Sequence, residues 1–281
     1  MCGRYAATAN PDELVLEFEV DQDRTSDPVR TLLANPQSPP AGTPDYNLAP
    51  TKLAPVVLTR VAKGASLPDP VRQLRLLTWG LVPSWSKDPS GAVRMINARA
   101  ESAAQKPAFA KALATRRALI PAAGWFEWQP SPVARDAKGK PVKQPFFIHR
   151  GDGSPLALAG LYEFWRDRSV TDGEDPMAWL TTFTILTTAA EPGLDRIHDR
   201  QPLVLDHADW ERWLDPALTD IEGVADLLDV GHARLGRFAA HPVSRAVGSN
   251  QAQGPQLLDP VPTSELRGVV DPVTGEIVGE V

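Results

Sequence analysis

Residues 118–128 read Ala-Leu-Ile-Pro-Ala-Ala-Gly-Trp-Phe-Glu-Trp (ALIPAAGWFEW). Apolar and small side chains occupy nearly every position, without a helical period, and predict one strand over Ala118–Trp128. Runs of the same character flank it at Ala54–Val61, Val71–Trp79, Pro145–His149, Leu156–Trp165 and Trp179–Thr188. The polar segment Gln129–Gln144 reads as an exposed hairpin loop, and Asp167–Pro176 as another. Asn10-Pro11-Asp12-Glu13 has an Asn cap, Pro at the first helical position and Glu three residues after the cap. That pattern starts a helix whose Leu14, Phe18 and Val15 face the core. The Pro-, Ser- and Asp-rich stretch Asp21–Asp45 reads as a loop, while His207–Leu214 and Asp220–Asp229 read as helices. The expected fold is α+β: a single domain over residues 1–260, with antiparallel β-sheets forming a barrel-like core and peripheral helices. Residues 261–281 are expected to form a loosely ordered tail.

A chain of 281 residues with 42% hydrophobic residues and 8 tryptophans can bury a full core. One cysteine excludes an internal disulfide. The N-terminus shows no basic-then-apolar leader, and the apolar run Pro155–Tyr162 is too short to cross a bilayer. The expected setting is a reducing cytoplasm, with no membrane partner. The net charge of −6 is unevenly spread. Arg60–Arg117 carries eleven basic and three acidic residues, and Gln201–Val281 five basic and thirteen acidic. The first stretch forms either a phosphate-binding face or an ordinary solvated surface.

The single cysteine is Cys2, behind Met1 in the opening MCGRY. Removal of Met1 makes Cys2 the first residue, with an α-amine of pKa about 7.7–8.0 and a thiol of about 8.5. Amine and thiol together form a 1,2-aminothiol. The amine condenses with an aldehyde to an imine, and the sulfur closes a five-membered thiazolidine. An internal cysteine cannot do this, because its nitrogen is an amide. An N-terminal Cys also serves as an acyl-transfer nucleophile. The competing reading is a small buried hydrophobe at position 2.

Three more polar residues stand in apolar surroundings. Glu127, flanked by Phe126 and Trp128, is a candidate for a raised pKa and proton transfer, or else points to water from a strand edge. His198 titrates near neutral pH and has Asp199 and Arg200 beside it, or else is structural. Asn97 holds a terminal amine or a phosphate, or else caps a turn. The cysteine and the five histidines show no metal-ligand spacing, and there is no Gly-rich phosphate loop. No cofactor and no metal are expected.

Nine stretches in order carry a family resemblance: MCGRYA at 1–6, YNLAPT at 46–51, WGLVPSW at 79–85, INARAES at 96–102, LIPAAGWFEW at 119–128, QPFFI at 144–148, FTILTTAA at 183–190, IHDRQPLVL at 197–205 and HPVSRAVG at 241–248. The chain resembles the SRAP family, SOS-response-associated peptidase-like proteins that cross-link to abasic sites in DNA. The resemblance implies a self-modifying DNA-repair protein, a monomer that joins the nucleoid when bound to DNA. Met1 is removed by self-cleavage or by an aminopeptidase. Mature Cys2 then forms a thiazolidine with the ring-opened sugar aldehyde of an abasic site in single-stranded DNA.

The resemblance also implies roles by motif position. Asn97 orients the Cys2 terminus, Glu127 shuttles protons, and His198 assists sugar ring opening and reversal. Arg4, Arg99 and Arg200 contact phosphates. Pro50 and Trp85 pack against bases, Thr187 lines the pocket, and Asn47 belongs to the DNA-binding set. Gln201 stands in the His198 motif where the family's pattern has Met or Arg.

Three other readings compete. An N-terminal-nucleophile amidotransferase also begins Met-Cys-Gly, but needs an Asn-Gly motif that this chain lacks. A thiol peptidase would act as a hydrolase on proteins through Cys2, whereas the SRAP resemblance implies a self-modifying enzyme with peptidase- and lyase-like activity. A non-catalytic single-strand binder would make no covalent product.

Overall fold

The computed structural model describes residues 2–61, 70–229 and 236–280. Met1, Lys63, Asp69, His232 and Val281, which figure in the sequence reading, lie outside them. The first half of the chain forms β1 (Arg4–Ala7), α1 (Pro11–Glu17), β2 (Gln22–Asp23), β3 (Asp45–Leu48), β4 (Leu53–Val61), β5 (Pro70–Trp79), β6 (Asn97–Arg99), α2 (Ala100–Ala103), α3 (Ala110–Thr115) and β7 (Arg117–Ala122). There follow β8 (Gly124–Arg135), β9 (Pro141–Arg150), β10 (Leu156–Arg166), β11 (Trp179–Ala189), β12 (Arg200–Pro202), β13 (Val204–Leu205), α4 (His207–Leu214), α5 (Ala225–Leu228), β14 (Phe238–Pro242), β15 (Val269–Val270) and β16 (Ile277–Val278).

The stretch at 118–128 is two strands, not one. Antiparallel pairing runs β11–β10–β7–β4–β5, and a parallel pairing of Thr182 with Thr78 and of Phe183 with Trp79 returns β11 to β5. The five strands therefore close into a barrel, which leaves no free edge among them. At Ala123 the chain leaves the barrel. Its amide donates to Ala6 O at 2.8 Å. Gly124 then begins β8 in a second sheet of order β14–β9–β8–β1–β3. A strand-period pattern reports alternating faces but not which sheet a segment joins, so the step at Ala123 is invisible in it.

The second sheet covers one end of the barrel. Tyr5 of β1 meets Trp79 of β5 edge-on, 5.1 Å between centroids, and Trp79 lies parallel to Phe183 of β11 at 6.3 Å. Cys2, Tyr5, Leu48, Trp125 and Ile148 join Leu58, Ile120, Leu158 and Ile185 in one core. On the barrel's outside, α1, α3 and α4 bury a second core, where Phe18 stacks on Trp210 at 4.6 Å. The Asn10–Glu13 capping box forms as the sequence predicts, with Leu14 and Phe18 buried and Val15 partly so. Buried Arg117 donates to the last carbonyls of α3 and α4, at 2.9 Å to Leu113 O and 2.6 Å to Trp213 O.

Two segments are more ordered than expected. Residues 129–144 extend β8 and β9, leaving only 136–140 as a turn, and Gln129, Ser131 and Gln144 are buried. Each buried amide finds carbonyls: Gln129 Nε2 donates to Val270 O at 2.9 Å, and Gln144 Nε2 to Val243 O at 2.7 Å. Residues 261–280 are not loose either. β15 and β16 pair, Leu266 and Val269 are buried, and Arg196 donates to Pro272 O at 2.7 Å. The polar residues that suggested solvent exposure are the ones that fasten this segment. Among the described residues, no helix is long and apolar enough to cross a membrane.

The close pairing of β8 with β9 needs the bare backbone of Gly124. A Cβ there would lie 2.5 Å from Ile148 O and 2.5 Å from the Phe147 ring. Gly124→Ala should therefore destabilise the fold by about 1–3 kcal/mol. Gly91→Ala, where a Cβ meets nothing within 4 Å, should stay within about 0.5 kcal/mol. Urea midpoints of the two variants test the difference.

Candidate functional site around Cys2

Cys2 sits just before β1, fully buried, and is not frayed. Its carbonyl accepts a 2.6 Å hydrogen bond from Asn97 Nδ2. Asn97 starts β6, which runs parallel to β11 with Asn97 beside Ile185. The preceding carbonyl, Ile96 O, is held by Trp79 Nε1 at 2.9 Å and by Ile185 N at 3.1 Å. The rigid barrel thus aims the Asn97 amide. Its other atom, Oδ1, is buried without a hydrogen-bond partner among the described residues. An acceptor left so is costly unless a donor arrives.

Glu127 reaches the same place from β8. Antiparallel pairing sets Arg4 against Phe126, and the next step of that register brings Gly3 to Glu127. The carboxyl is 3% exposed. Burial pushes its pKa up to about 7, and Asp199 adds a smaller push in the same direction. The Cys2 thiol is pushed far up, first by burial and then by the Glu127 charge. Its Sγ–H donates weakly to Arg4 O at 3.7 Å. Thiolate and carboxylate are therefore disfavoured together in this pocket.

His198 lies in a turn between β11 and β12. Its Nδ1 accepts from Arg200 N at 3.0 Å and has an Asp199 oxygen at 3.0 Å, so it can serve only one of them at a time. Burial lowers its pKa, against an opposing push from Asp199, which favours the neutral ring at pH 7. The neck of this turn is closed by Ala190 N to Asp199 O at 3.0 Å and by Glu191 N to Gln201 Oε1 at 2.9 Å. Gln201 is 2% exposed and holds the turn that carries His198. Its amide faces Glu191, and no feature of the isolated motif signals that.

The residues assigned to DNA fall into two groups. Arg99 and Trp85 are exposed, and Arg99 sits at the end of β6, opposite Thr187 of β11. Pro50 is half-buried, next to Thr51, whose amide donates to Trp79 O at 2.8 Å. Arg4, Asn47, Thr187 and Arg200 are instead engaged internally. Arg4 donates to Asn47 Oδ1 at 2.7 Å, to Val247 O at 3.0 Å and to Asn250. Fully buried Asn47 donates to Val247 O and to Ser249 O, at 3.2 and 2.9 Å. Together they fasten the loop after β14, whose contribution could be found only in three dimensions. Arg200 bridges bidentately to Glu101 at 2.6 and 2.8 Å and donates to the buried Thr187 O at 2.5 Å. That bridge holds Glu101's carboxyl below its usual range.

The basic stretch Arg60–Arg117 does not gather into one face at Cys2. Arg72 pairs with Glu19, Arg75 with Asp27 and Arg116 with Glu163, while Arg117 is buried. Trp79 is wholly in the core. Partners distant in sequence offset part of the surplus, which a charge count along the chain cannot foresee.

The sequence profile of the SOS response associated peptidase (SRAP) family matches residues 1–250. Abasic site processing protein YedK of Escherichia coli (strain K12) is 34% identical over 264 residues, covering 93% of this chain and 100% of that one. Abasic site processing protein YoqW of Bacillus subtilis (strain 168) is 32% identical over 259 residues, covering 92% and 99%. Among solved structures, a Bacteroides thetaiotaomicron protein superposes with a TM-score of 0.68 at 20% identity, over 92% of this chain and 100% of that one, a likeness of fold. A phage-related protein of Bordetella bronchiseptica superposes with a TM-score of 0.55 at 28% identity, over 87% and 95%.

The folded-state pKa of Glu127, about 7, lies above its ordinary 4.5, so the folded chain holds the extra proton between these values. The stability of the neutral carboxyl is complete below about pH 4.5 and is lost as the pH rises through about 7. Relative to Glu127→Gln, the wild type should lose up to about 3 kcal/mol across that window. Urea unfolding of both proteins at each end measures it; parallel pH profiles would mean that Glu127 titrates as it does in water.

Proposed function

The chain belongs to the SRAP family, and from that premise we propose that it processes abasic sites in DNA through covalent capture by Cys2. The observation that carries this reading is the grip of Asn97 on the Cys2 carbonyl at 2.6 Å, which fixes the second residue in the core. A chain terminus held this way is positioned for chemistry rather than frayed.

With Met1 in place the Cys2 nitrogen is an amide and cannot condense. Its removal creates the aminothiol, and the buried Asn97 Oδ1 is an acceptor suited to the new amine. Neutral His198 takes the anomeric hydroxyl proton as the C1′–O4′ bond breaks to give the aldehyde, and returns a proton to the freed O4′ oxygen. The amine adds to the carbonyl carbon, giving a carbinolamine. Glu127, about half protonated near pH 7, gives its proton to the departing hydroxyl, which leaves as water. The resulting carboxylate takes the thiol proton as sulfur attacks the imine carbon and closes the thiazolidine. The net change is loss of one water.

Single-stranded DNA is the substrate this reading requires, because the sugar must reach a buried thiol. Exposed Trp85 offers a stacking surface and exposed Arg99 a phosphate contact. Arg200 acts on the strand only by exchanging Glu101 for a phosphate. Arg4 and Asn47 act through the loop they fasten.

Intact mass spectrometry of the protein lacking Met1, mixed with a short single strand carrying one abasic site, tests the proposal. The expected gain is the strand minus one water, localised to Cys2. A processed terminus without an adduct overturns it. Cys2→Ala, which keeps the amine, should give a product only when borohydride reduces the imine, whereas a heat-stable adduct would exclude the thiazolidine. Asn97→Ala should slow cross-linking by about tenfold or more, with a smaller effect on binding the strand.

A further inference from the structure

The end of the barrel away from Cys2 opens into a cavity rich in arginine. The inner face of β4 runs Val56, Leu58, Arg60, and that of β5 runs from Trp79 through Leu77 to Arg75. On β10 the same face passes from Leu158 to Tyr162 and Phe164, and on β11 from Ile185 and Phe183 to Thr181. The apolar interior therefore opens into a mouth of about 700 Å³ lined by Arg24, Arg60, Arg75, Arg116, Phe164 and Trp179. Cys2 and Asn97 lie toward the other end, where the second sheet covers Trp79.

Charge in this mouth is unbalanced. Among the described residues, Asp27 alone serves both Arg24, at 2.9 Å, and Arg75, at 3.4 Å. Glu163 holds Arg116 at 2.9 Å, and Asp167 holds neighbouring Arg30 at 2.7 Å. Arg60 has no acidic partner among the described residues and rests over the Phe164 ring at 4.9 Å. Burial lowers the proton affinity of Arg75, and Arg60 lowers it further against the pull of Asp27. Gathering these guanidiniums in a partly dry concavity costs free energy that a bound anion offsets, and guanidinium forks match phosphate oxygens. Trp179 is 39% exposed, and its Nε1 is anchored to Gly173 O at 2.9 Å, which presents the ring at the rim. A fixed aromatic face beside a phosphate-sized basic pocket suits a base.

We propose that this mouth binds a nucleotide, its phosphate on Arg60 and Arg75 and its base on Trp179, either free or as one unit of a DNA strand. The site is independent of Cys2 chemistry and stands whether or not the cross-linking reading holds.

Calorimetric titration of the full-length protein with dAMP tests it. Saturable binding is expected, weakened about tenfold by Arg60→Gln through loss of a charge-assisted contact. Arg60 makes no side-chain hydrogen bond among the described residues, so this variant should melt with the wild type. Trp179→Leu should weaken dAMP but leave deoxyribose 5-phosphate, which has no base, unchanged. Displacement of dAMP by a short undamaged strand would assign the site to DNA, and failure to displace it to a free nucleotide. No saturable dAMP binding, or equal affinity in Arg60→Gln, overturns the proposal.

Discussion

The parallel pairing of β5 with β11 is the constraint on which the Cys2 site depends. It closes the barrel and places Trp79 beside Phe183, where Tyr5 of the second sheet packs on it. It also lets Trp79 Nε1 and Ile185 N share Ile96 O, which sets the backbone just before Asn97. A two-strand parallel contact is weak alone. Here it is surrounded by buried side chains and completes a ring, so breaking it would open the core. The Asn97 amide inherits that rigidity and passes it to Cys2.

Burial sets the chemistry of the site. A carboxyl in a core raises its own pKa, and a thiol beside it is raised more, so the pair prefers to keep protons. A carboxyl and a thiol that both favour their protonated forms lie buried where β8 meets the start of β1. A group poised near pH 7 can give and then take a proton in consecutive steps. The polar residues around them, Gln201 on the His198 turn and the Arg4–Asn47 pair on the loop after β14, hold surrounding segments in place.

The barrel treats its two ends differently. The end under the second sheet is buried and holds Cys2. The other runs out into arginines, because among the described residues no sheet covers its terminal inner-face positions. The same alternation of inward and outward residues produces both, and only the covering layer distinguishes them.

Much of this was legible in the chain itself. The strand cores, the Asn10–Glu13 cap and the barrel-like α+β class follow from local periodicity and a cap pattern, and the same local chemistry singles out a lone Cys at position 2 as a candidate aminothiol. Glu127 stood out because a carboxyl among tryptophans must be either exposed or perturbed. The sequence could not reveal that 118–128 divides between two sheets at Ala123, that 129–144 continues both strands, or that the C-terminal segment is fastened. Nor did it disclose that Arg4 and Arg200 are already bonded, or that Arg60 and Arg75 meet at a mouth. Each of those facts depends on partners far away in the chain, supplied by pairing and packing. Local pattern determines what a segment can become, while the identity of its neighbours, and with it burial, charge balance and pKa, is decided only when the barrel closes.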